Sequence, residues 1–477
     1  MKKFNRADLK NMKGVYLMIN LERKVPDSFL ERYFHLSERK TDVRTEFVAG
    51  FTTFLTMAYI IAVNPIILSS TGMPKEALFT STILAAGFTT LLMGFYANLP
   101  FALASGMGLN AFFAAVCNAG LLKGVPNGWQ IALCAVLFDG IIFIILSLSR
   151  IRSMIVYAIP VNLKRAVSVG IGLFITTIGL ELSGLIVIKD NRMSLGSLSN
   201  PAAVLAIIGL IITAILMHKK VKGSLLWGIL ITSVISWIYA GIIGAGNAAN
   251  FGIFMPAWNR LISLPPSIAP IAFKFNFNGI FNLGMMAVVF GFLFVDMFDT
   301  IGTFIGCAQK AQLVDEKGNM TEKDTARGLL VDAIGTTLGA CLGVSTVTTY
   351  IESAAGIAEG GRTGLSSVIT GLFFMVALFF STIFTSIPGA ATAPALIIVG
   401  LLMFSVVKDI DISEDWTEAI PAFLTIIVMP LAYSISDGIV FGIVSYTILK
   451  LLAGKTRDIS PTMYVLSIIF IAYLLYR

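Results

Sequence analysis

The stretch Met285–Gly306, MMAVVFGFLFVDMFDTIGTFIG, limits what this chain can fold into. It is as long as a bilayer-spanning helix, which needs about 20 apolar residues. Yet it carries two aspartates, Asp296 and Asp299, whose spacing puts them on one helical face. Carboxylates in a span are costly, face a polar cavity or a bundle interior, and mark a pathway. A second stretch, Ser345–Gly356 (STVTTYIESAAG), sets Glu352 in another apolar setting. The two stretches are expected to face each other across a site inside a membrane protein.

Charge supports the membrane setting. Only 13% of the 477 residues are charged and 56% are hydrophobic, where soluble domains carry about 25% charged residues. The net charge of +7 does not indicate nucleic acid. Its basic residues lie in the N-terminal tail and in short loops between apolar runs, as the positive-inside rule requires. Cys117, Cys134, Cys307 and Cys341 lie in or beside apolar runs without metal-ligand spacing, and His35 and His218 are the only histidines. No metal and no cofactor is expected. The first 46 residues mix basic and acidic side chains without the apolar core of a secretory signal. They read as a cytoplasmic tail, with Pro26 to Lys40 able to form an interfacial amphipathic helix.

Apolar runs place spans near 47–69, 76–95, 101–118, 128–149, 162–184, 200–218 and 224–245, and then near 283–309, 327–344, 346–360, 364–386, 389–408, 417–433 and 437–453. A linker, 246–282, separates the two sets, and Met463 to Tyr476 forms a last run too short for a clear crossing. An odd number of spans per half inverts the second half relative to the first, so homologous halves form an inverted repeat. The fold expected is an all-α polytopic membrane protein of about 14 spans in a 7+7 inverted repeat. Its divisions are a tail (1–46), a first repeat (47–245), an extracytoplasmic linker (246–282), a second repeat (283–453) and a C-terminal tail (454–477).

The third span, Ala104–Val116 (ASGMGLNAFFAAV), is short and rich in small residues. Its counterpart, the tenth, is also short and opens on Ser345-Thr346-Val347-Thr348-Thr349. That β-branched run suits an extended piece that breaks into a helix. Extended backbone at membrane depth is tolerated only where protein or a watery cavity satisfies it. Paired interrupted spans in the two halves point to a transporter's binding site.

Several polar residues carry alternative readings. Asp299 binds a substrate or is held by a neighbouring helix terminus. Asp296 binds substrate or orients Asp299. Glu352 binds substrate or caps the helix that follows it. Asn110 reads a ligand edge or bonds a neighbouring helix. Asp332 is expected at the cytoplasmic interface, Glu359 in solvent, Ser436 as an N-cap, and Asn64-Pro65 and Pro430 as helix interruptions.

RTEFVAGFTTFLTMAYIIAVNP, ASGMGLNAFF, FVDMFDTIGT and TTYIESAAGIAEGGRTGL resemble motifs of the azaguanine-type (AzgA-like) branch of the nucleobase–cation symporter-2, or nucleobase–ascorbate, superfamily. The resemblance runs from about Arg44 to about Gly454, and is nearest to bacterial hypoxanthine/guanine permeases. It implies a core domain (spans 1–4 and 8–11), a gate domain (spans 5–7 and 12–14) and half-strands in spans 3 and 10. It also implies uptake of purine bases, hypoxanthine and guanine above all, with protons across the plasma membrane. By motif, Asp299 and Glu352 match ligands of the base, and Asp296 and Asn110 match required polar positions. Thr303 falls where uracil-type relatives carry a histidine. Tyr350 precedes the carboxylate with backbone groups suited to the ligand, and Leu109 and Ile351 complete the substrate-binding set. Proton coupling falls to Asp299, with Asp296 or Glu352 as rivals. The partners expected are a purine base and the bilayer, with a homodimer left open and nucleic acid excluded.

Other readings are an adenine, xanthine, uracil or cytosine carrier of the same fold, an anion carrier, a channel, or an intramembrane aspartic protease. The last needs two carboxylates sharing a proton around a water and a GxGD signature, which the chain lacks. A channel would present charged rings or repeated filter loops. An enzyme is not expected.

Overall fold

The computed structural model describes residues 28–118, 120–148, 160–189, 192–256, 262–314, 320–412, 415–432 and 434–476. Much of the N-terminal tail therefore lies outside the described residues. What is described of it is a short helix, α1 (Phe29–Phe34), and a turn. It is docked rather than free. Phe34 and Leu36 are buried against Leu365 and Val368, and Arg39 donates to the carbonyls of Asn98 and Arg362.

The first half runs α2 (Val43–Met57), α3 (Ile60–Ser69), α4 (Lys75–Leu92), β1 (Leu103–Ser105), α5 (Met107–Asn118), α6 (Trp129–Leu148) and α7 (Val161–Leu182). A hairpin of β2 (Ile186–Lys189) and β3 (Arg192–Leu195) follows, then α8 (Pro201–His218) and α9 (Ser224–Ile243). The second half runs α10 (Leu283–Lys310), α11 (Glu322–Leu342), β4 (Val347–Thr349), α12 (Ser353–Ala358), α13 (Gly364–Ala377), α14 (Gly389–Phe404), α15 (Trp416–Leu431), α16 (Ile435–Leu452) and α17 (Pro461–Tyr476). Among the described residues, eight helical stretches are long and apolar enough to cross a membrane. The expected spans that miss this measure are interrupted, short or bear buried carboxylates, as the third, eighth, ninth and tenth do.

Two groups of helices emerge from the packing. α2 lies against α12 and α13, α4 against α11, α13 and β1, and α6 against α10 and α11. α7 lies against α14 and α15, α8 against α9 and α14, and α15 against α16. The first group is the core domain and the second the gate domain. Glu46 helps to close the core: fully buried on α2, it accepts from the backbone N–H groups of Arg362, Thr363 and Ser366 at the start of α13.

Several expectations change. Pro65 lies inside α3 and Pro430 inside α15, so neither interrupts its helix. The first span breaks instead at Ala58–Tyr59, where backbone bonds tighten to the i−3 carbonyl. Prolines survive in spans because neighbouring groups resupply the backbone. α16 is capped by Ser434, whose hydroxyl accepts from Asp437 N–H, and not by Ser436. Glu359 is not simply solvated, since it pairs with Lys222 of the gate domain at 2.7 Å. The last apolar run is a helix packed on α16 and α10. Near its start, buried Lys450 is held by Asp415, Glu418 and Asp458 at 3.1–3.3 Å.

α12 sits tight on α2 because Gly356 has no side chain. A methyl there would overlap Thr53 Oγ1 and the Ala49 carbonyl. Gly356→Ala is expected to destabilise the protein by about 1–3 kcal/mol, read as a lower unfolding temperature in detergent. Gly241→Ala, where a methyl meets nothing within 4 Å, should leave that temperature unchanged.

Candidate functional site

Two extended pieces meet inside the core domain. β1 pairs antiparallel with β4 in the register Leu103↔Thr349, Ala104↔Thr348 and Ser105↔Val347. Val347, Thr348 and Thr349 favour the extended form because their branched side chains fit a pleated surface. Both strands are buried, so their backbone groups must find partners in protein. They do. Gly106 N–H bonds Thr346 O at 3.0 Å and Tyr350 N–H bonds Ala102 O at 2.9 Å. Thr90 Oγ1 bonds both the N–H and the carbonyl of Leu103, and Ser353 Oγ accepts from Ala102 N–H.

α10 passes this crossing and brings its acidic face to it. Thr300 is the junction: its hydroxyl lies 2.6 Å from Asp332 Oδ2 and 3.2 Å from Thr348 Oγ1. The other Asp332 oxygen accepts from Thr349 N–H at 2.9 Å and Thr349 Oγ1 at 2.8 Å. Asp332 is therefore a fully buried acceptor for β4 and not an interfacial residue. Hydropathy places the start of the ninth span at 327, whereas α11 begins at Glu322 and carries Asp332 deep into the bundle.

The carboxylates divide into two kinds. Asp299 and Glu352 are half-buried and in mutual Coulombic reach. Glu352 does not act as a cap: no side-chain bond to the α12 backbone is present, and its Oε1 accepts from Tyr59 OH at 2.7 Å. Among the described residues, no side-chain hydrogen bond holds Asp299. Asp296, Asp332 and Asp139 are fully buried. Asp296 accepts from Thr336 Oγ1 at 3.0 Å, and that hydroxyl also lies 3.0 Å from Val347 O on β4.

Of the remaining candidates, Asn110 and Tyr350 bond the scaffold. Asn110 is buried and bonded to Ser105 (Ser105 Oγ to Asn110 Oδ1, 2.6 Å), so it braces the strand-to-helix break within its own span. Leu109 is buried. Thr303 donates to the Asp299 carbonyl of its own helix. Tyr350 OH donates to Ser105 O at 2.5 Å and its N–H is spent on Ala102, so that N–H is not free for a ligand in this conformation. Ile351 is 44% exposed beside Glu352.

Sequence reasoning missed Tyr59, whose role depends on a contact 293 residues away. It also missed Asp139, although AVLFDGIIF carries the same signal as Asp296, a carboxylate inside an apolar span.

Asp332→Ala leaves the Thr349 N–H, the Thr349 hydroxyl and the Thr300 hydroxyl without this acceptor. Each buried group so orphaned costs about 1–3 kcal/mol. The variant should unfold at clearly lower temperature than Asp332→Asn, which keeps one acceptor oxygen.

The profile of the Permease family matches residues 44–441. A putative permease of Methanocaldococcus jannaschii is 45% identical over 443 residues, covering 93% of this chain and 97% of the relative. The adenine permease AdeP of Escherichia coli is 41% identical over 93% of this chain and 95% of its own. The guanine/hypoxanthine permease PbuO of Bacillus subtilis is 41% identical over 92% and 98%. Among solved structures, the transmembrane domain of a cyanobacterial bicarbonate transporter, BicA, superposes with a TM-score of 0.59 at 14% identity, covering 84% of this chain and 97% of that domain. That likeness shows the fold, a 7+7 inverted repeat. The chain is thus a multi-pass membrane permease, not an enzyme, and belongs to the AzgA-like branch of the nucleobase–cation symporter-2 (nucleobase–ascorbate) superfamily.

Proposed function

We propose that this permease imports purine nucleobases, hypoxanthine and guanine, together with protons across the plasma membrane. The observation that carries the reading is the pair Asp299 and Glu352, half-buried and in mutual Coulombic reach where α10 meets the crossing strands. Ionised carboxylates only accept hydrogen bonds. Guanine presents N1–H beside its 2-amino group, a pair that one carboxylate binds in a bidentate way, and hypoxanthine presents N1–H and an imidazole N–H that two carboxylates can accept separately. Tyr59 orients Glu352 by donating to one oxygen and leaves the other for the base. The site lies in the core domain, where the gate helices can close over it. The repeats run 47–245 and 283–453, with the N-terminus in the cytoplasm.

Names of relatives support the class of substrate but divide over its identity. Adenine and guanine/hypoxanthine permeases are 41% identical to this chain alike. An adenine carrier is therefore the second reading, and competition separates the two.

Uptake of labelled hypoxanthine into cells without purine carriers tests the proposal. Uptake should be blocked by unlabelled guanine and abolished by a protonophore; inhibition by adenine alone would favour the second reading. Glu352→Gln and Asp299→Asn should each cut uptake at least about tenfold, a loss of about 1.4 kcal/mol, with normal membrane insertion. Tyr59→Phe should raise the half-saturating base concentration about tenfold, because a hydrogen bond to a charged group contributes about 1.5–3 kcal/mol. Wild-type uptake by any of these variants would remove that residue from the site.

A further inference from the structure

Asp139 is the carboxylate that base binding leaves unused. It lies on α6, fully buried. Among the described residues neither of its oxygens has a hydrogen-bond partner, and Asp296 Oδ1 has none either. It lies in Coulombic reach of two others, Asp296 from α10 and Asp332 from α11, the two helices most closely packed on α6. These are the titratable groups that act on it among the described residues, and no cation does. The third helix against α6, α5, carries no charged side chain. No His/Cys/Asp/Glu group able to hold a metal ion occurs among the described residues.

Three anions in a sealed, cation-free cluster are untenable, since each buried ion costs several kcal/mol unless paired. The three are not provided for equally. Asp332 has three donors and is the anion that the surroundings support. Asp139 has none. A neutral carboxylic acid needs only an acceptor for its O–H, and Asp296 Oδ1 is an acceptor without a donor. Among the described residues, three of the four oxygens of Asp139 and Asp296 lack a donor, and two neighbouring carboxylates so placed hold a proton between them.

We propose that Asp139 and Asp296 share the transported proton in a site separate from the base site. The proposal rests on the proton-symport reading and moves its proton away from Asp299 and Glu352. A proton from the outer water joins one carboxylate oxygen of the pair, and the same O–H bond breaks when the proton leaves to the inner water. The pair reaches the base site through the strand. Thr336 joins Asp296 to the carbonyl of Val347, and Asp332 holds Thr349 and Thr300. Losing the proton adds a negative charge beside Asp332, and the threonine ladder carries that strain to β4 and to α10 next to Asp299.

The test uses purified protein in liposomes with two readouts. One is exchange of internal unlabelled for external labelled hypoxanthine without a pH gradient. The other is accumulation driven by an inward proton gradient. Asp139→Asn keeps the size of the protonated side chain but cannot release a proton. It should exchange base within about twofold of wild type, while gradient-driven accumulation falls at least about tenfold and loses its pH dependence. Asp139→Glu should keep pH-dependent accumulation. Wild-type accumulation by Asp139→Asn overturns the proposal, as does loss of exchange together with accumulation, which would make Asp139 structural. Wild-type protein that ignores the proton gradient overturns the symport reading and this proposal with it.

Discussion

The site depends on one constraint: extended backbone inside a membrane protein must have every N–H and C=O group satisfied. β1 and β4 satisfy part of this through each other. The rest comes from side chains, namely Thr90, Ser353, Thr336 and Asp332. Those side chains also set the chemistry. Asp332 bonds Thr349 and Thr300 at once, so the strand and the acidic helix have one common anchor. Pairing the strands therefore fixes where Asp299 and Glu352 stand, each at the edge of the same crossing.

The carboxylates sort by what surrounds them. The two that remain accessible suit a ligand rich in N–H donors, because an ionised carboxylate has acceptor capacity and nothing else. The three that are buried have no room for a ligand of that size. In the symport proposed, base binding and proton binding favour the same conformations, and coupling is the difference in affinity between those conformations. Threonines between the two groups form a short physical link for that coupling.

Much of this was legible in the sequence, and the failures have physical causes. Asp296, Asp299 and Glu352 stand out because charge in an apolar run is costly, and the β-branched run at Val347–Thr349 announces the half-strand. Asp332 was misplaced because α11 opens on a charged turn, which hid its first helical residues from a hydropathy reading. Asn110 and Tyr350 are polar groups bonded within the scaffold, and sequence cannot say whether a buried donor meets a ligand or its own backbone. Tyr59 looks like any aromatic residue in a span until the chain brings it to Glu352. Proline proved a poor marker of interruption here, since Pro65 is absorbed within α3. Asp139 was readable by the same rule that found Asp296 and was passed over because no motif surrounds it.

The most direct measurement is the structure of the detergent-purified protein with hypoxanthine bound. The account predicts the base between Asp299 and Glu352, with its N–H edge at hydrogen-bond distance, about 2.7–3.2 Å, from their carboxylate oxygens. Tyr59 should still donate to Glu352. A base bound elsewhere in the molecule, with both carboxylates left without ligand contact, would contradict it.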